Sequence, residues 1–181
     1  MRWLAAVLTI ACLTAGCTKL EKGTAVTGSE PPHDVWQLAE RAVNLVPLTV
    51  AKMEELLATP LVEDPETPGR WDSETVRLSP DVTVAGASLG IDSNGWDFAG
   101  FDIESTSCIT IDMVKEHYPS VELTYGVTGH SAYETFGWVV PYEWGELTFG
   151  IRVKDDCLIG ISLTSTKELK HREDLRKEFR P

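Results

Sequence analysis

The last third of the chain alternates apolar and polar side chains, and this pattern limits the fold more than any other feature of the sequence. Four runs show the alternation, at residues 121–127, 136–140, 147–153 and 157–163. A period of two is typical of a strand that buries one face. The four runs therefore predict a four-stranded antiparallel meander, with one face in the core and the other in water.

The turns between these runs predict how the strands pair. A three-residue turn at residues 154–156 would place Phe149 opposite Ile161, and Val153 opposite Cys157. A four-residue loop at residues 141–144 would place Phe136 opposite Phe149, and Trp138 opposite Leu147. Both registers put apolar residues together on one face, as a buried face requires. The water-exposed face would then carry Glu146, Thr148, Arg152, Ser162 and Thr164.

A helical period precedes the sheet. Between residues 35 and 57, apolar residues recur at intervals of three and four, which is typical of a helix with one buried face. Asp34 is placed to cap the first turn, with Gln37 three positions later as in a capping box. Pro47 cannot donate a backbone hydrogen bond, so it predicts a kink or a break into two helices. The sequence thus indicates an α+β domain, in which a kinked helix or helix pair packs on an antiparallel sheet.

Turn signals divide the segment between these helices and the meander. Residues 60–70 are rich in proline and acid and predict a loop. Asn94-Gly95 is a strong hairpin signal because both residues tolerate positive φ. The expected elements are strands at 74–78, 82–91 and 96–103 and a short helix at 111–117.

The first sixteen residues have the organisation of a secretory signal peptide. Arg2 supplies a positive charge, and the apolar run at residues 4–13 is about half the ~20 residues that a membrane-spanning helix needs. Small residues then precede a cysteine, in the order Leu13-Thr14-Ala15-Gly16-Cys17. This run resembles a lipobox, the processing site of bacterial lipoproteins. The resemblance implies that the Cys17 thiol carries a diacylglycerol and that residues 1–16 are removed.

The rest of the chain divides into a tether, a domain and a tail. Residues 17–33 are polar and contain Pro31-Pro32, and they are expected to be the lipidated cysteine and a flexible tether. Residues 34–165 would form a single α+β domain, and residues 166–181 a charged tail that is frayed or forms a surface helix. Lipidation of Cys17 implies a lipid membrane as partner and a place in the cell envelope, facing the periplasm. Thr18 favours the outer membrane, because Asp at that position favours retention in the inner membrane in this family.

Removal of the signal peptide would leave one pair of cysteines that can bond. Cys12 lies in the signal and Cys17 is assigned to lipid, so Cys108 and Cys157 remain. Disulfides persist in an oxidising compartment such as the periplasm, and we expect one between these two residues. Two buried free thiols are the alternative. Because Cys157 follows the turn at residues 154–156, Cys108 should lie at that end of the sheet.

The charge of the chain is distributed unevenly. Residues 17–165 contain 24 Asp and Glu against nine Lys and Arg, a net charge of −15, whereas residues 166–181 carry +2. An acidic body repels nucleic acid and anionic lipid headgroups, so no nucleic-acid partner is expected. The charge favours a basic protein partner, or it serves only to keep the protein soluble.

Motifs for catalysis and metal binding are present only in fragments. Residues 86–90, Gly-Ala-Ser-Leu-Gly, match the nucleophile elbow of serine hydrolases. That motif requires a tight turn from strand to helix, and Ser88 falls inside a predicted strand. Residues 92–97 share part of a calcium-loop pattern, without the acid that should occupy its twelfth position. We therefore predict no cofactor and no metal site. A hydrolase that uses Ser88 is one of three functional hypotheses, and the other two follow below.

The predicted loop at residues 141–144 carries the candidates for partner binding. Tyr142 and Trp144 flank Glu143, and aromatic side chains beside a charge are typical anchors of protein interfaces. Aromatic residues that only cap the core are the alternative. Compartment, size and charge are similar in kind to those of periplasmic immunity and inhibitor lipoproteins. The sequence thus favours a membrane-anchored periplasmic binding protein that neutralises a cationic envelope-targeting toxin. A structural lipoprotein of an envelope or secretion assembly is the alternative.

Overall fold

The computed structural model describes residues 30–131 and 133–179. Its helices are α1 (Val35–Leu45), α2 (Val50–Leu57), α3 (Ile111–His117) and α4 (Thr166–Glu178). Its strands are β1 (Leu61–Glu63), β2 (Arg70–Ser73), β3 (Val76–Arg77), β4 (Val82–Asp92), β5 (Gly95–Ser105), β6 (Glu122–Tyr125), β7 (Thr135–Tyr142), β8 (Gly145–Arg152) and β9 (Leu158–Ser165).

The N-terminal helical segment breaks into two helices at Pro47, which lacks the amide proton that would continue the first one. Asp34 caps α1, because its carboxylate accepts a hydrogen bond from the Gln37 backbone amide at 2.8 Å. The Gln37 side chain accepts from the amide of His33, one residue before the position that a capping box uses. The predicted cap is therefore confirmed, and its reciprocal bond is shifted by one residue.

The described strands form one antiparallel sheet in the order β1-β2-β4-β5-β9-β8-β7-β6, and β3 pairs with β4. Helices α1, α2 and α3 share a hydrophobic core with one side of the sheet, here called the inner face. Helix α4 packs on β5, β8 and β9 from the other side, the outer face. The predicted α+β architecture, with N-terminal helices on an antiparallel sheet that ends in a meander, is confirmed.

The core lies between the inner face and the three helices. Leu38 of α1, Met53 of α2 and Val114 of α3 are fully buried, as are Phe101 and Phe149 of the sheet. Burying a side chain of this kind contributes about 1.5–3 kcal/mol. These contacts hold α1 and α3 on the same side of the sheet, and this arrangement matters for the candidate site.

The register between β7 and β8 differs from the prediction. The turn contains two residues, Glu143 and Trp144, in place of a four-residue loop, so Trp138 lies opposite Phe149. Phe136 accordingly lies opposite Ile151. A shift of two positions leaves every side chain on the same face, so the apolar pattern could not distinguish the two registers.

The β8–β9 pairing is confirmed in the middle of the strands and wrong at the turn. Phe149 lies opposite Ile161, as predicted. Val153 does not pair with Cys157, because β8 ends at Arg152 and a register shift places Leu158 opposite Ile151. Leu158 is consequently buried.

The outer face is not exposed along its whole length. Glu146 is only 8% exposed and Thr164 only 3%, although both were expected in water. Helix α4 packs over this part of the sheet, and the Tyr125 hydroxyl donates a hydrogen bond to Glu146 at 2.8 Å. The pattern within a strand shows which side chains share a face, but it does not show whether a distant segment covers that face.

Two further expectations at the edges of the sheet are wrong. The segment at residues 60–70 is not entirely loop, because its first part contains β1, which pairs with β2. Leu123, expected on the buried side of the meander, is 50% exposed. It lies on β6 at the edge of the sheet, where a neighbour is present on one side only.

A disulfide joins Cys108 to Cys157 across 49 positions of sequence. It lies at the expected end of the sheet, since Cys108 Sγ is 3.7 Å from the carbonyl oxygen of Asp155. A backbone hydrogen bond of 2.8 Å, from the Leu158 amide to the Ile109 carbonyl, joins the same two segments. The connection between β5 and α3 is thus crosslinked to the start of β9, and the predicted bond is confirmed.

Candidate partner-binding surface

The predicted anchors Tyr142, Glu143 and Trp144 form a corner at the β7–β8 turn. The rings of Tyr142 and Trp144 are stacked, with centroids 4.9 Å apart and planes 11° apart. Trp144 also meets Trp96 at 5.7 Å in a tilted arrangement. Both aromatic side chains are half-buried, and Glu143 is exposed. The corner therefore both closes the edge of the core and leaves aromatic surface accessible.

Backbone contacts hold this corner rigidly. The Trp144 carbonyl accepts a hydrogen bond from the Thr166 amide at 2.9 Å, which joins the turn to the start of α4. Gly145 has a φ of +146°, and a Cβ at this position would lie 1.9 Å from the Thr164 carbonyl oxygen. Only glycine fits there, so the direction in which Trp144 leaves the turn is determined by close backbone packing.

A second group of rings lies where α1 and α3 meet. Trp36 of α1 stacks on His117 of α3, with centroids 3.9 Å apart and planes 8° apart. Beside this pair is a cleft of about 360 Å³, lined by Trp36, Glu40, His117 and Tyr118. Glu40 and His117 are exposed, whereas Trp36 and Tyr118 are half-buried. The cleft thus combines aromatic walls with one carboxylate.

Tyr118 connects the cleft to the corner. Its ring meets the buried Phe149 ring at 5.0 Å. Burial, with smaller contributions from the nearby Tyr142 and Glu40, raises the pKa of Tyr118 to about 12. Burial also raises the pKa of Tyr142. Both phenols therefore stay neutral at physiological pH. We call Trp36, His117, Tyr118, Tyr142 and Trp144, with Glu40 and Glu143, the aromatic surface.

The composition of the aromatic surface favours cations. A carboxylate and the faces of aromatic rings both attract ammonium and guanidinium groups. Helix α3 already shows such a contact, since Lys115 Nζ lies 4.7 Å from the centroid of the Trp138 ring. The structure places Tyr142 at the end of β7 and Glu143 and Trp144 in the two-residue turn, and it adds the cleft beside them.

Sequence reasoning missed Trp36, Glu40, His117 and Tyr118 as members of this site. Trp36 and His117 are far apart in the chain and belong to different helices, so no local pattern connects them. One signal was available: Trp36 lies outside the buried stripe of α1, which consists of Val35, Leu38, Ala39 and Ala42. A tryptophan that a helix leaves outside its core stripe is a candidate for binding.

Ser88 lies in the middle of β4, opposite Asp72 of β2 and Gly100 of β5. It is therefore in an extended strand, as the sequence predicted, and not at the turn that a nucleophile elbow needs. Its side chain faces the outer side of the sheet, away from the aromatic surface.

The partial calcium-loop pattern at residues 92–97 lies in the β4–β5 hairpin, and a lysine side chain contacts both of its aspartates. Lys167 Nζ lies 2.7 Å from a carboxylate oxygen of Asp92 and 2.6 Å from one of Asp97. The pKa of Asp92 is lowered, chiefly by its hydrogen bond with Lys167. Within the described ranges, no three His, Cys, Asp or Glu side chains are grouped so that they could hold a metal ion.

Cys17 and the other residues of the predicted signal and lipobox lie outside the described part of the chain. No helix in the described part is long and apolar enough to cross a membrane. Compared with models of protein families, with curated proteins and with solved structures, the chain shows no significant match.

Proposed function

We propose that this protein is a lipid-anchored protein of the bacterial envelope that binds a basic protein partner through the aromatic surface. An inhibitor or immunity protein against a cationic toxin that attacks the envelope is the function we favour. The observation that carries the proposal is the cleft beside the Trp36–His117 stack, where aromatic walls and Glu40 share about 360 Å³. A lysine or arginine side chain of the partner has the chemistry to fill it.

Half-buried aromatic rings are well suited to anchor a protein interface. Trp36 and Trp144 have the core behind them, so little side-chain freedom is lost when a partner covers them. Tryptophan and tyrosine are enriched among the residues that dominate binding energy. Tyr118 and Tyr142, neutral at physiological pH, can donate hydrogen bonds from the same surface.

The charge of the molecule supports a basic partner. Residues 17–165 carry a net −15, and two of their acids, the exposed Glu40 and Glu143, lie at the rim of the aromatic surface. Long-range attraction of this kind raises the association rate and is screened by salt.

The anchor rests on the lipobox resemblance at residues 13–17. A diacylglycerol on Cys17, with a further acyl chain on its amino group, would hold the protein durably in a bilayer. The polar segment between Cys17 and α1 would let the domain reach a partner in the periplasm. Thr18 after the cysteine favours the outer membrane.

The proposal is tested by capture followed by kinetics. The mature protein, purified in mild detergent, is used to capture proteins from the secreted fraction of the same organism, and the captured protein is then purified. We expect a basic protein whose association slows as salt rises. Trp36→Ala and Trp144→Ala should each weaken binding by about 2 kcal/mol, roughly 30-fold, mainly through faster dissociation. Glu40→Gln should mainly slow association.

Matched variants at distant positions serve as controls. Tyr133→Ala removes a tyrosine that is 71% exposed at the opposite end of the sheet, and Glu104→Gln removes an exposed acid from β5. Neither should change the affinity. A neutral or acidic partner, or one whose affinity ignores the two tryptophans, would contradict the proposal. Stoichiometric co-purification with a large envelope complex would favour the structural alternative. Hydrolytic activity that Ser88→Ala abolishes would favour the enzyme.

A further inference from the structure

A trough on the outer face, lined by both apolar and polar groups, is separate from the aromatic surface. It has a volume of about 420 Å³ and is lined by residues of six strands, from Arg70 of β2 to Thr135 of β7. Neighbouring strands lie about 4.8 Å apart, so a trough that crosses six of them is about 24 Å long. Its volume is within the range of ligand sites, roughly 300–1,000 Å³.

An aromatic ring lies on the floor of the trough. A Cβ added to Gly90 or to Gly100 would lie 3.2 or 3.1 Å from the Phe98 ring. Glycine at both positions therefore lets the ring lie close against the sheet. Phe98 is half-buried and lines the trough, so one part of the ring remains available to a ligand.

Polar groups surround this ring. Ser88, Ser162 and Thr148 bring hydroxyls to the trough, and Asp102 brings a carboxylate. Arg70 is already engaged, because its Nε lies 3.1 and 3.0 Å from the two carboxylate oxygens of Asp72. Asp102 has no hydrogen-bond or ion-pair partner among the residues that the structure describes. The trough therefore offers one unpaired negative charge, several hydroxyls and one aromatic platform.

This chemistry excludes three classes of ligand. An anion would meet the free carboxylate of Asp102 while Arg70 is neutralised by Asp72. An acyl chain would leave Asp102 and the hydroxyls without partners, and unpaired buried polar groups are costly. A peptide that adds a strand needs a sheet edge with free backbone groups, whereas the trough crosses the middle of the sheet.

We propose that the trough binds an oligosaccharide that is uncharged or carries amino groups. The C–H face of a sugar ring would pack on Phe98, because apolar hydrogens favour contact with an aromatic face. Asp102 would accept hydrogen bonds from sugar hydroxyls or from an ammonium group, and the serine and threonine hydroxyls would both donate and accept. A polymer crossing the strands matches the length of the trough.

The test uses calorimetric titration of the mature full-length protein in mild detergent. The probes are the tetrasaccharide of N-acetylglucosamine, its fully deacetylated amine form, and an anionic tetragalacturonate. We expect binding of the first two, with the amine form tighter. Phe98→Ala should weaken both by at least about tenfold. Asp102→Asn should remove the advantage of the amine form.

A second variant, which blocks the trough, tests the proposal independently in case Phe98→Ala does not fold. Ser162→Arg fills the trough from its floor and should abolish binding, while Thr83→Arg, on the outer face of β4 beyond the trough, should not. Thermal melting verifies that each variant is folded. The proposal is overturned if neither sugar binds, if tetragalacturonate binds as tightly, or if Ser162→Arg binds normally. This test does not bear on the proposed binding of a basic protein partner, because the aromatic surface is formed by other residues.

Discussion

Reduction of the Cys108–Cys157 disulfide should lower the free energy of unfolding without changing the fold. The bond joins the segment between β5 and α3 to the first residue before β9. The native arrangement does not depend on the bond alone, because Ile109 and Leu158 are buried beside it and share a backbone hydrogen bond. Breaking the bond therefore acts mainly on the unfolded chain, which gains freedom.

The expected size of the effect follows from the length of the closed loop. For a sequence separation of 49, the chain-entropy relation predicts a loss of about 4 kcal/mol. A domain of this size changes its melting temperature by roughly 2–4 °C per kcal/mol, so we expect a decrease of about 8–16 °C. The slope of unfolding free energy against urea should rise slightly, because a chain without the crosslink exposes more surface when it unfolds.

Urea denaturation with and without reductant measures this difference. The double variant Cys108→Ser with Cys157→Ser is the control, since it should be as unstable as the reduced protein and insensitive to reductant. Thiol counting in denaturant, on the mature chain without residues 1–16 and with Cys17→Ala, should find no free thiol before reduction. A change smaller than about 1 kcal/mol on reduction would refute the reasoning, because the crosslink would then not restrict the unfolded chain.

Three further predictions concern the anchor, the turn and alkaline stability. Cys17→Ala should abolish incorporation of a palmitate analogue in vivo, and undiminished label would contradict the lipobox interpretation. Gly145→Ala should destabilise the fold by at least about 2–3 kcal/mol in urea, because its Cβ would meet the Thr164 carbonyl oxygen at 1.9 Å; Gly126→Ala, where a Cβ meets nothing within 4 Å, should change little. Burial, followed by the bond to Glu146, raises the pKa of Tyr125 from 10.0 to about 12. The folded state therefore holds this proton more tightly, and the resulting stability, complete below pH 10, is lost between about pH 10 and 12. The free energy of unfolding of Tyr125→Phe, measured by urea titration, should fall less steeply with pH over that range. An unchanged slope would show that Tyr125 does not cause the loss of stability.

Hydrophobic periodicity predicted the elements and the faces of the meander because one side of each strand packs on a core. The pairing of Phe149 with Ile161 follows from the alternation and from the turn at residues 154–156. The pairing of Phe136 was wrong by two positions because such a shift leaves the faces unchanged. A pattern with a period of two can assign a face, but it cannot assign a register when two turn lengths satisfy it equally.

The candidate site was only partly accessible to sequence reasoning. Tyr142, Glu143 and Trp144 were proposed as partner-binding residues because they are consecutive, and a motif of neighbouring residues is visible in the sequence. The stack of Trp36 on His117 forms only when α1 and α3 pack side by side on the inner face. No spacing rule relates residues that belong to two different helices.

The sequence by itself determined most of the helical and strand segments, the hairpin between β4 and β5 and, with the help of the lipobox resemblance, the pair of cysteines available for a disulfide. These features follow from local backbone preferences, from apolar periodicity and from elimination among few residues. Only the tertiary structure decided that α4 covers Glu146, that Lys167 lies between Asp92 and Asp97, and that an aromatic cleft and an outer-face trough form. Each of these arises from contacts between segments distant in the chain, where the free energy depends on shape and charge at the contact and not on the order of neighbouring residues.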